Sequence, residues 1–319
     1  MTGSKTTQVR VAGAGVIGLT CAVRLAEAGY QVDVLARDLP LETTSAVAGG
    51  LWLPYLAEPA DRVMRWAHAT LLTLRELAGD PATGVSLRRG HLLGSRTPPR
   101  WAGGLSGTLT LEPETDPAPG YRAGLRATLP LVTMDRYLPH LTDRLFAAGG
   151  TLTRLPLAAL PDRSVVVNCT GIAARALASD SSLRPVRGQV VLLSDPGLDS
   201  WWCDESGREP RYVLPHGSHV VVGGTADDGD WSTTPDPAVT RRLLAFAGEL
   251  VPQLRDGTVL GQRVGLRPVR PSVRLEVEER TSPDSTSSHP VVHCYGHGGS
   301  GLTLSWGCAD DVLAAVRSI

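Results

Sequence analysis

An apolar, β-prone run from Val9 to Ala12 leads straight into Gly13-Ala-Gly-Val-Ile-Gly18, and this junction constrains the fold more than any other feature of the chain. Val16 to Ala28 then sets Ile17, Cys21, Leu25 and Ala28 at helical spacing, with Gly29 as a terminator. Gln31-Val-Asp-Val-Leu-Ala36 reads as a second strand, so the chain opens on a βαβ unit. Without side chains at Gly13, Gly15 and Gly18, the backbone can approach a pyrophosphate. The helix N-terminus beside it favours negative charge. A GxGxxG pattern alone is a weak signal. Between a strand and a helix it points to a dinucleotide, with FAD and NAD(P) both open.

A second glycine-rich loop lies near the other end, Tyr295-Gly-His-Gly-Gly-Ser-Gly-Leu-Thr-Leu-Ser-Trp306, running from an apolar strand into a closing helix expected from about Ser305. Two such turns suggest one long ligand with a phosphate part and an electron-accepting ring. Where an acidic residue is expected to take ribose hydroxyls, Arg37 comes first and Asp38 next. An arginine there suits a 2′-phosphate, which keeps a nicotinamide cofactor in play, and simple surface charge is the plainer alternative. Thr43-Thr-Ser-Ala-Val-Ala-Gly-Gly-Leu-Trp52 can bond phosphate oxygens and lie against a flat ring, although a surface loop would look the same. Val264-Gly-Leu-Arg-Pro-Val-Arg-Pro271 holds Arg267 beside a rigid proline, a setting suited to bidentate capture of a carboxylate. Tyr212, at the start of a strand, could add a hydroxyl donor. Alone, each reads equally as an ion pair and a half-buried tyrosine. His216 with His219, and His293 with His297, show no third ligand, so no metal site is expected.

Composition excludes several classes. The 319 residues allow two cores, and a formal charge of −1 argues against a nucleic-acid partner. No apolar run approaches a bilayer span, and the residues before Val9 hold no signal-peptide core. Cys21, Cys169, Cys203, Cys294 and Cys308 are an odd number and widely spaced, as in a reduced, cytoplasmic protein. Lys5 is the single lysine, which excludes Schiff-base chemistry within a folded site.

Further along, the patterns predict a helix over 65–78, a strand over 88–94, a proline-rich loop over 112–120, and a turn then helix over 131–148. Arg163 to Gly171 reads as a buried parallel strand. Strands follow at 189–193, 212–215, 219–224, 274–278 and 291–295, with a helix over 237–250 and a polar loop over 280–289. The α/β elements fall at the start, middle and end, with mostly β material between them. A dinucleotide-binding domain interrupted by insertions fits that order.

These segments resemble the D-amino-acid oxidase family through nearly the whole chain. The resemblance rests on Val11-Ala-Gly-Ala-Gly-Val-Ile-Gly-Leu19, Ala48-Gly-Gly-Leu-Trp52, Val167-Asn-Cys-Thr-Gly171, Arg187-Gly-Gln189 and Tyr212-Val-Leu-Pro215. It continues through Gly223-Gly-Thr225, Gly229-Asp-Trp231, Gly265 to Pro271 and Tyr295 to Gly299. It implies an α/β fold: a Rossmann-like FAD-binding domain (1–50, 140–190 and 262–319) with an inserted, mainly antiparallel β-sheet substrate-binding domain (51–139 and 191–261).

By position, the resemblance implies noncovalent FAD. Gly13, Ala14, Gly15, Val16, Ile17 and Gly18 would serve the pyrophosphate, and Arg37, Asp38, Leu157 and Thr170 the adenosine part. Thr43, Thr44, Ser45, Gly49, Gly50 and Leu51 would line the path to the flavin. Gly298, Gly299, Ser300, Gly301, Leu302 and Thr303, with Arg267, would surround the ring. Arg267 and Tyr212 would hold the substrate carboxylate, Gly299 would offer its carbonyl to the amine, and Leu53 with Tyr55 would form an apolar wall. The implied reaction is oxidative deamination of a D-amino acid by hydride transfer to flavin N5, with O2 as acceptor.

Family members with a longer lid carry a second tyrosine upstream of Tyr212; here 201–211 is short, and Trp201 or Trp202 is the expected cover. We expect neutral D-amino acids as substrates. D-aspartate oxidase is the nearer alternative and an NADP-dependent reductase the more remote one. Arg211 is discounted as a second cation because strand alternation turns it away from Tyr212. The oligomeric state stays open, a homodimer included.

Overall fold

The computed structural model describes residues 7–55, 57–105, 107–162, 164–204, 207, 209–281 and 288–319; Lys5 and most of the polar loop over 280–289 lie outside them. The opening unit is β1 (Gln8–Ala12), α1 (Val16–Glu27) and β2 (Gln31–Ala36), followed by α2 (Thr44–Val47) and α3 (Ala60–Leu77). Next come β3 (Val85–Leu93), β4 (Glu112–Pro113), β5 (Gly124–Val132), α4 (Met134–Ala147), β6 (Thr151–Arg154), β7 (Val165–Asn168) and α5 (Ala174–Leu177). The long stretch β8 (Arg184–Leu193) precedes β9 (Trp201–Asp204), β10 (Arg211–Pro215), β11 (Val220–Gly223), β12 (Asp227–Asp228) and α6 (Pro237–Leu250). The chain closes with β13 (Val259–Thr281), β14 (Ser288–His297) and α7 (Gly301–Arg317).

One continuous sheet threads these strands in the order β4-β5-β3-β9-β10-β11-β8-β13-β14-β7-β1-β2-β6. The end from β14 to β6 is parallel, as a βαβ opening requires. The other end is antiparallel except for the β3–β9 pair. β13 joins the two, pairing with β8 over Val259–Val269 and with β14 over Val269–Thr281. Arg267 therefore stands two residues before the point where the strand changes partners. Pro268 and Pro271 sit at that exchange, where β13 has the irregular pairing that proline tolerates.

Helices α1, α3, α4 and α7 pack together over one side of the core. Gly307 lies so close to α3 that an added Cβ would come 2.4 Å from the Trp66 Cα. The fully buried Trp306 donates its indole N–H to the Tyr137 hydroxyl, 2.8 Å, tying α7 to α4. A second cluster, including Val213, Val220, Val222, Leu243 and Phe246, seats α6 on the antiparallel end.

Most predicted elements are present, with shifted ends. α3 starts at Ala60 rather than 65, because Pro59 can precede a first turn without costing a hydrogen bond. α7 starts at Gly301 rather than Ser305; the poor helix formers of its first turn concealed the start. β13 runs unbroken through the glycine and prolines that seemed to interrupt it.

Candidate active site

A cavity of ≈ 930 Å³ runs from the first glycine turn to Arg267 and Tyr212. That is near the upper end for small-molecule sites. At its phosphate end the turn is crowded. Gly13 has φ +106, and a Cβ there would come 2.5 Å from the Cys169 carbonyl oxygen. A Cβ on Gly18 would come 2.0 Å from the Gly13 carbonyl oxygen. Only glycine fits either place. Gly15 precedes α1, and the Val16 N–H donates to Ser45 Oγ, 2.9 Å. Gly13 to Ile17, Thr43, Thr44, Ser45, Gly49, Gly50 and Leu51 all line the cavity as expected. Gly18 does not; it acts by letting the helix pack under the turn.

Leu157, Thr170, Arg37 and Asp38 line the same cavity. Arg37 is committed to its neighbour through a fork, Nε to Asp38 Oδ1 at 2.9 Å and Nη2 to Oδ2 at 2.6 Å. That pairing raises the Arg37 pKa further and occupies the face a 2′-phosphate would need. Thr170 is held by Asn168 Oδ1, which accepts from both its N–H and its hydroxyl. Behind Asn168, the buried His293 bonds the Asn168 amide on one ring nitrogen and the Glu278 carboxylate on the other.

At the far end, Arg267 Nη1 donates to the Thr225 carbonyl, 2.7 Å. The guanidinium lies over Gly188, where a Cβ would come 2.4 Å from Nη1. No acidic side chain pairs with Arg267 among the described residues. Tyr212 stands beside it. Burial pushes the Tyr212 phenol above its ordinary range, and the Arg267 charge offsets only part of that. The tyrosine therefore stays a protonated donor. Gly299 faces the Tyr55 ring, with 2.8 Å from an added Cβ to Cδ1.

The loop carrying Leu53 and Tyr55 is stitched to the start of α7. Thr303 Oγ1 accepts from the Leu53 N–H at 3.2 Å and donates to its carbonyl at 3.0 Å. Ser300 Oγ bonds the Tyr55 N–H and carbonyl in the same manner. Ser300 is thus turned away from the cavity wall and anchors the loop, whereas Gly298, Gly299, Gly301, Leu302 and Thr303 line the wall. The first intrahelical bond of α7 runs from Leu304 N–H to the Ser300 carbonyl. The amides of Gly301, Leu302 and Thr303 precede it and supply the positive end of the helix dipole.

Two further expectations are corrected. Trp201 is fully buried over Gly90 and donates to the Arg88 carbonyl, and Trp202 stacks on His91; neither lines the cavity. Trp231 does, while remaining 53% exposed. The carbonyls of Ser232 and Thr234 after it accept from the buried Arg187, which fixes that loop. Cys203, opposite Tyr212 across β9 and β10, also lines the cavity and went unremarked. Thiols and imidazoles do gather, contrary to the expectation of no such cluster: Cys21, Cys169 and Cys294 form one buried triad, and Cys294, His297 and Cys308 another. Arg211 turns away as strand alternation requires. It pairs with the buried Asp204 at 2.6 Å and lies over Phe246.

Cavity, glycine cradle and carboxylate-seeking arginine define a flavin-type dinucleotide oxidoreductase. A family model described as FAD dependent oxidoreductase matches residues 8–315. A D-amino-acid oxidase of Rubrobacter xylanophilus is 45% identical, over 98% of this chain and 97% of that protein. A human D-aspartate oxidase is 36% identical, over 98% and 95%. Among solved structures, glycine oxidase from Bacillus cereus superposes with a TM-score of 0.79 at 18% identity, covering 98% of this chain and 95% of that one, a likeness of fold. The chain belongs to the D-amino-acid oxidase family of FAD-dependent oxidoreductases.

Proposed function

We propose that this chain is an FAD-dependent D-amino-acid oxidase acting on neutral D-amino acids. The observation that carries the reading is the convergence of Arg267 and Tyr212 at one end of a cavity whose other end is a phosphate cradle. The residues present fit FAD: two glycines that no other residue could replace, a helix N-terminus, and a second helix whose free amides face the ring end. Gly13 to Ile17 and Ser45 would hold the pyrophosphate, and Leu157, Thr170 and the Arg37–Asp38 pair the adenosine part. Gly49 to Leu51, with Gly298, Gly299 and Gly301 to Thr303, would hold the ring. Bound there, FAD would supply the two-electron acceptor for the substrate's α-hydrogen, with O2 as final oxidant, so that the products would be a 2-oxo acid, ammonia and hydrogen peroxide.

The chain's own residues position the substrate. Arg267 grips the carboxylate through its fork of N–H donors, and Tyr212 donates a second hydrogen bond to the same group. The Gly299 carbonyl accepts from the amine, which fixes the side of Cα that faces inward. Asp38 is the one carboxylate among the described lining residues, and Arg37 already engages it. A carboxylate base for a separate proton abstraction is therefore not in place, which supports direct hydride removal.

Neutral substrates are favoured over D-aspartate because the other lining cations are spoken for. Arg37 binds Asp38, and Arg175 donates to the Ser181 and Leu183 carbonyls. We assign the dinucleotide and substrate domains to the residue ranges expected from the sequence. A cytoplasmic location is supported by the five buried, free thiols. No helix among the described residues is long and apolar enough to cross a membrane. The test is an anaerobic titration of the yellow holoenzyme with D-alanine, D-valine, D-methionine and D-aspartate. Bleaching by the neutral D-amino acids is expected, and a flavin that stays oxidised with all four would end the proposal.

A further inference from the structure

Of the five cysteines in the chain, three meet in one place although they stand far apart in sequence, and a fourth, Cys308, joins one of them, Cys294, in a second group. Cys21 comes from α1, Cys169 follows β7, Cys294 lies on β14 and Cys308 on α7. The ligand atoms of Cys21, Cys169 and Cys294 lie within 4.8 Å of one another, as do those of Cys294, His297 and Cys308. Cys294 Sγ is 3.9 Å from His297 Nε2. Sulfurs around a tetrahedral zinc, with bonds of about 2.3 Å, stand roughly 3.8 Å apart, and the three sulfurs of Cys21, Cys169 and Cys294 lie within a span that allows it.

A buried free cysteine packs as a small hydrophobe, so burial alone is no signal; the mutual approach of the sulfurs is what points to a ligand. All five side chains are at most 8% exposed. Cys294 is the hub, the one thiol common to both groups. Cys169, Cys294 and His297 also line the cofactor cavity.

We propose that Cys21, Cys169 and Cys294 form a buried three-thiol site for one thiophilic d10 divalent cation of the zinc and cadmium type. Each thiol that ligates gives up its proton to solvent, so binding releases protons and weakens as pH falls. His297 and Cys308 stand on the other side of Cys294, in a separate group. The Gly13 turn rests on the Cys169 carbonyl, so an ion that fixes Cys169 also stiffens the seat of the pyrophosphate.

The test is titration of the purified holoenzyme with cadmium chloride, reading the ultraviolet thiolate-to-cadmium charge-transfer band and the metal retained after gel filtration. The expected result is about one cadmium per chain, with affinity falling more than about tenfold in Cys294→Ala and in Cys21→Ala. Cys203→Ala, outside the cluster, should bind as the parent does. Retention of the visible flavin spectrum shows that each variant is folded; if Cys294→Ala fails that check, Cys21→Ala decides. Absence of the band in the parent, or a band unchanged in the folded cluster variants, would overturn the proposal.

Discussion

Tyr212 and Gly223 face each other across β10 and β11, and the phenol ring occupies the space a side chain at 223 would need. A Cβ built on Gly223 would come 2.3 Å from Tyr212 Cζ. Gly224 and Gly49 bound the same ring. The tyrosine is thus aimed by three missing side chains. Gly223→Ala should push the hydroxyl off the carboxylate position, and should resemble Tyr212→Phe in kinetics. A loss of about 1–1.5 kcal/mol, roughly tenfold in kcat/KM, is expected for either, with flavin content unchanged. Steady-state assays with D-alanine check this, and a Gly223→Ala enzyme with parental kcat/KM would contradict it.

Arg267 carries more. Its carboxylate partner would be left in the cavity without a countercharge. Arg267→Ala should therefore cost about 3 kcal/mol or more, at least roughly a hundredfold in kcat/KM. Arg267→Lys should recover only part, since an ammonium cannot both reach the Thr225 carbonyl and present a fork. The rate of anaerobic flavin reduction is the direct measure, and intact reduction in the alanine variant would remove Arg267 from the substrate site.

Thr303 and Ser300 make a different kind of contribution. Each hydroxyl satisfies both the N–H and the carbonyl of a loop residue, Leu53 or Tyr55. Thr303→Val keeps the shape and leaves both Leu53 groups without their partner, at about 2 kcal/mol of stability. Chemical denaturation should report that loss. KM should rise as well, because Leu53 forms part of the pocket wall. Parental stability would mean the loop is held by other contacts.

The site was legible where a backbone constraint leaves a mark on residue type. Gly13 and Gly18 announce a close approach, and the Arg267-Pro268 pair announces a fixed guanidinium. Roles that depend on distant pairing were not legible. Nothing near Ser300 shows that its hydroxyl serves Tyr55, 245 positions away. Trp231 reaches the cavity only because Arg187 gathers the loop that follows it, and Trp201 is withdrawn because Gly90 on a neighbouring strand makes room for it. The thiol cluster is invisible for the same reason: its members share no local spacing, and only the packing of α1 and α7 against the sheet brings them together.

His216 links the substrate strands to the flavin loop, and this link should show in the pH dependence of stability. Its Nε2 donates to the Gly49 carbonyl at 3.0 Å, so Nδ1 is the acceptor for the Thr133 hydroxyl. Burial, then the stacked His219, lowers its pKa to about 4 from an ordinary 6.5; the Gly49 hydrogen bond and Asp135 act the other way, and Arg88 adds to the lowering. Above pH 6.5 neither the folded nor the unfolded chain carries the proton, and the contribution is intact. As pH falls from 6.5 towards 4 the unfolded chain protonates first, so the folded state loses ground, and below about 4 the loss levels off. Because the side chain is only half-buried, we set the total at about 2 kcal/mol rather than the full value implied by the shift. His219 is lowered by burial as well, so the comparison must isolate one ring. His216→Gln should be less stable than the parent at pH 7, through the lost pair of hydrogen bonds, yet fall less steeply between pH 6.5 and 4.5. Denaturant melts of both proteins across that range decide it, and parallel curves would show that this imidazole stays uncoupled from folding.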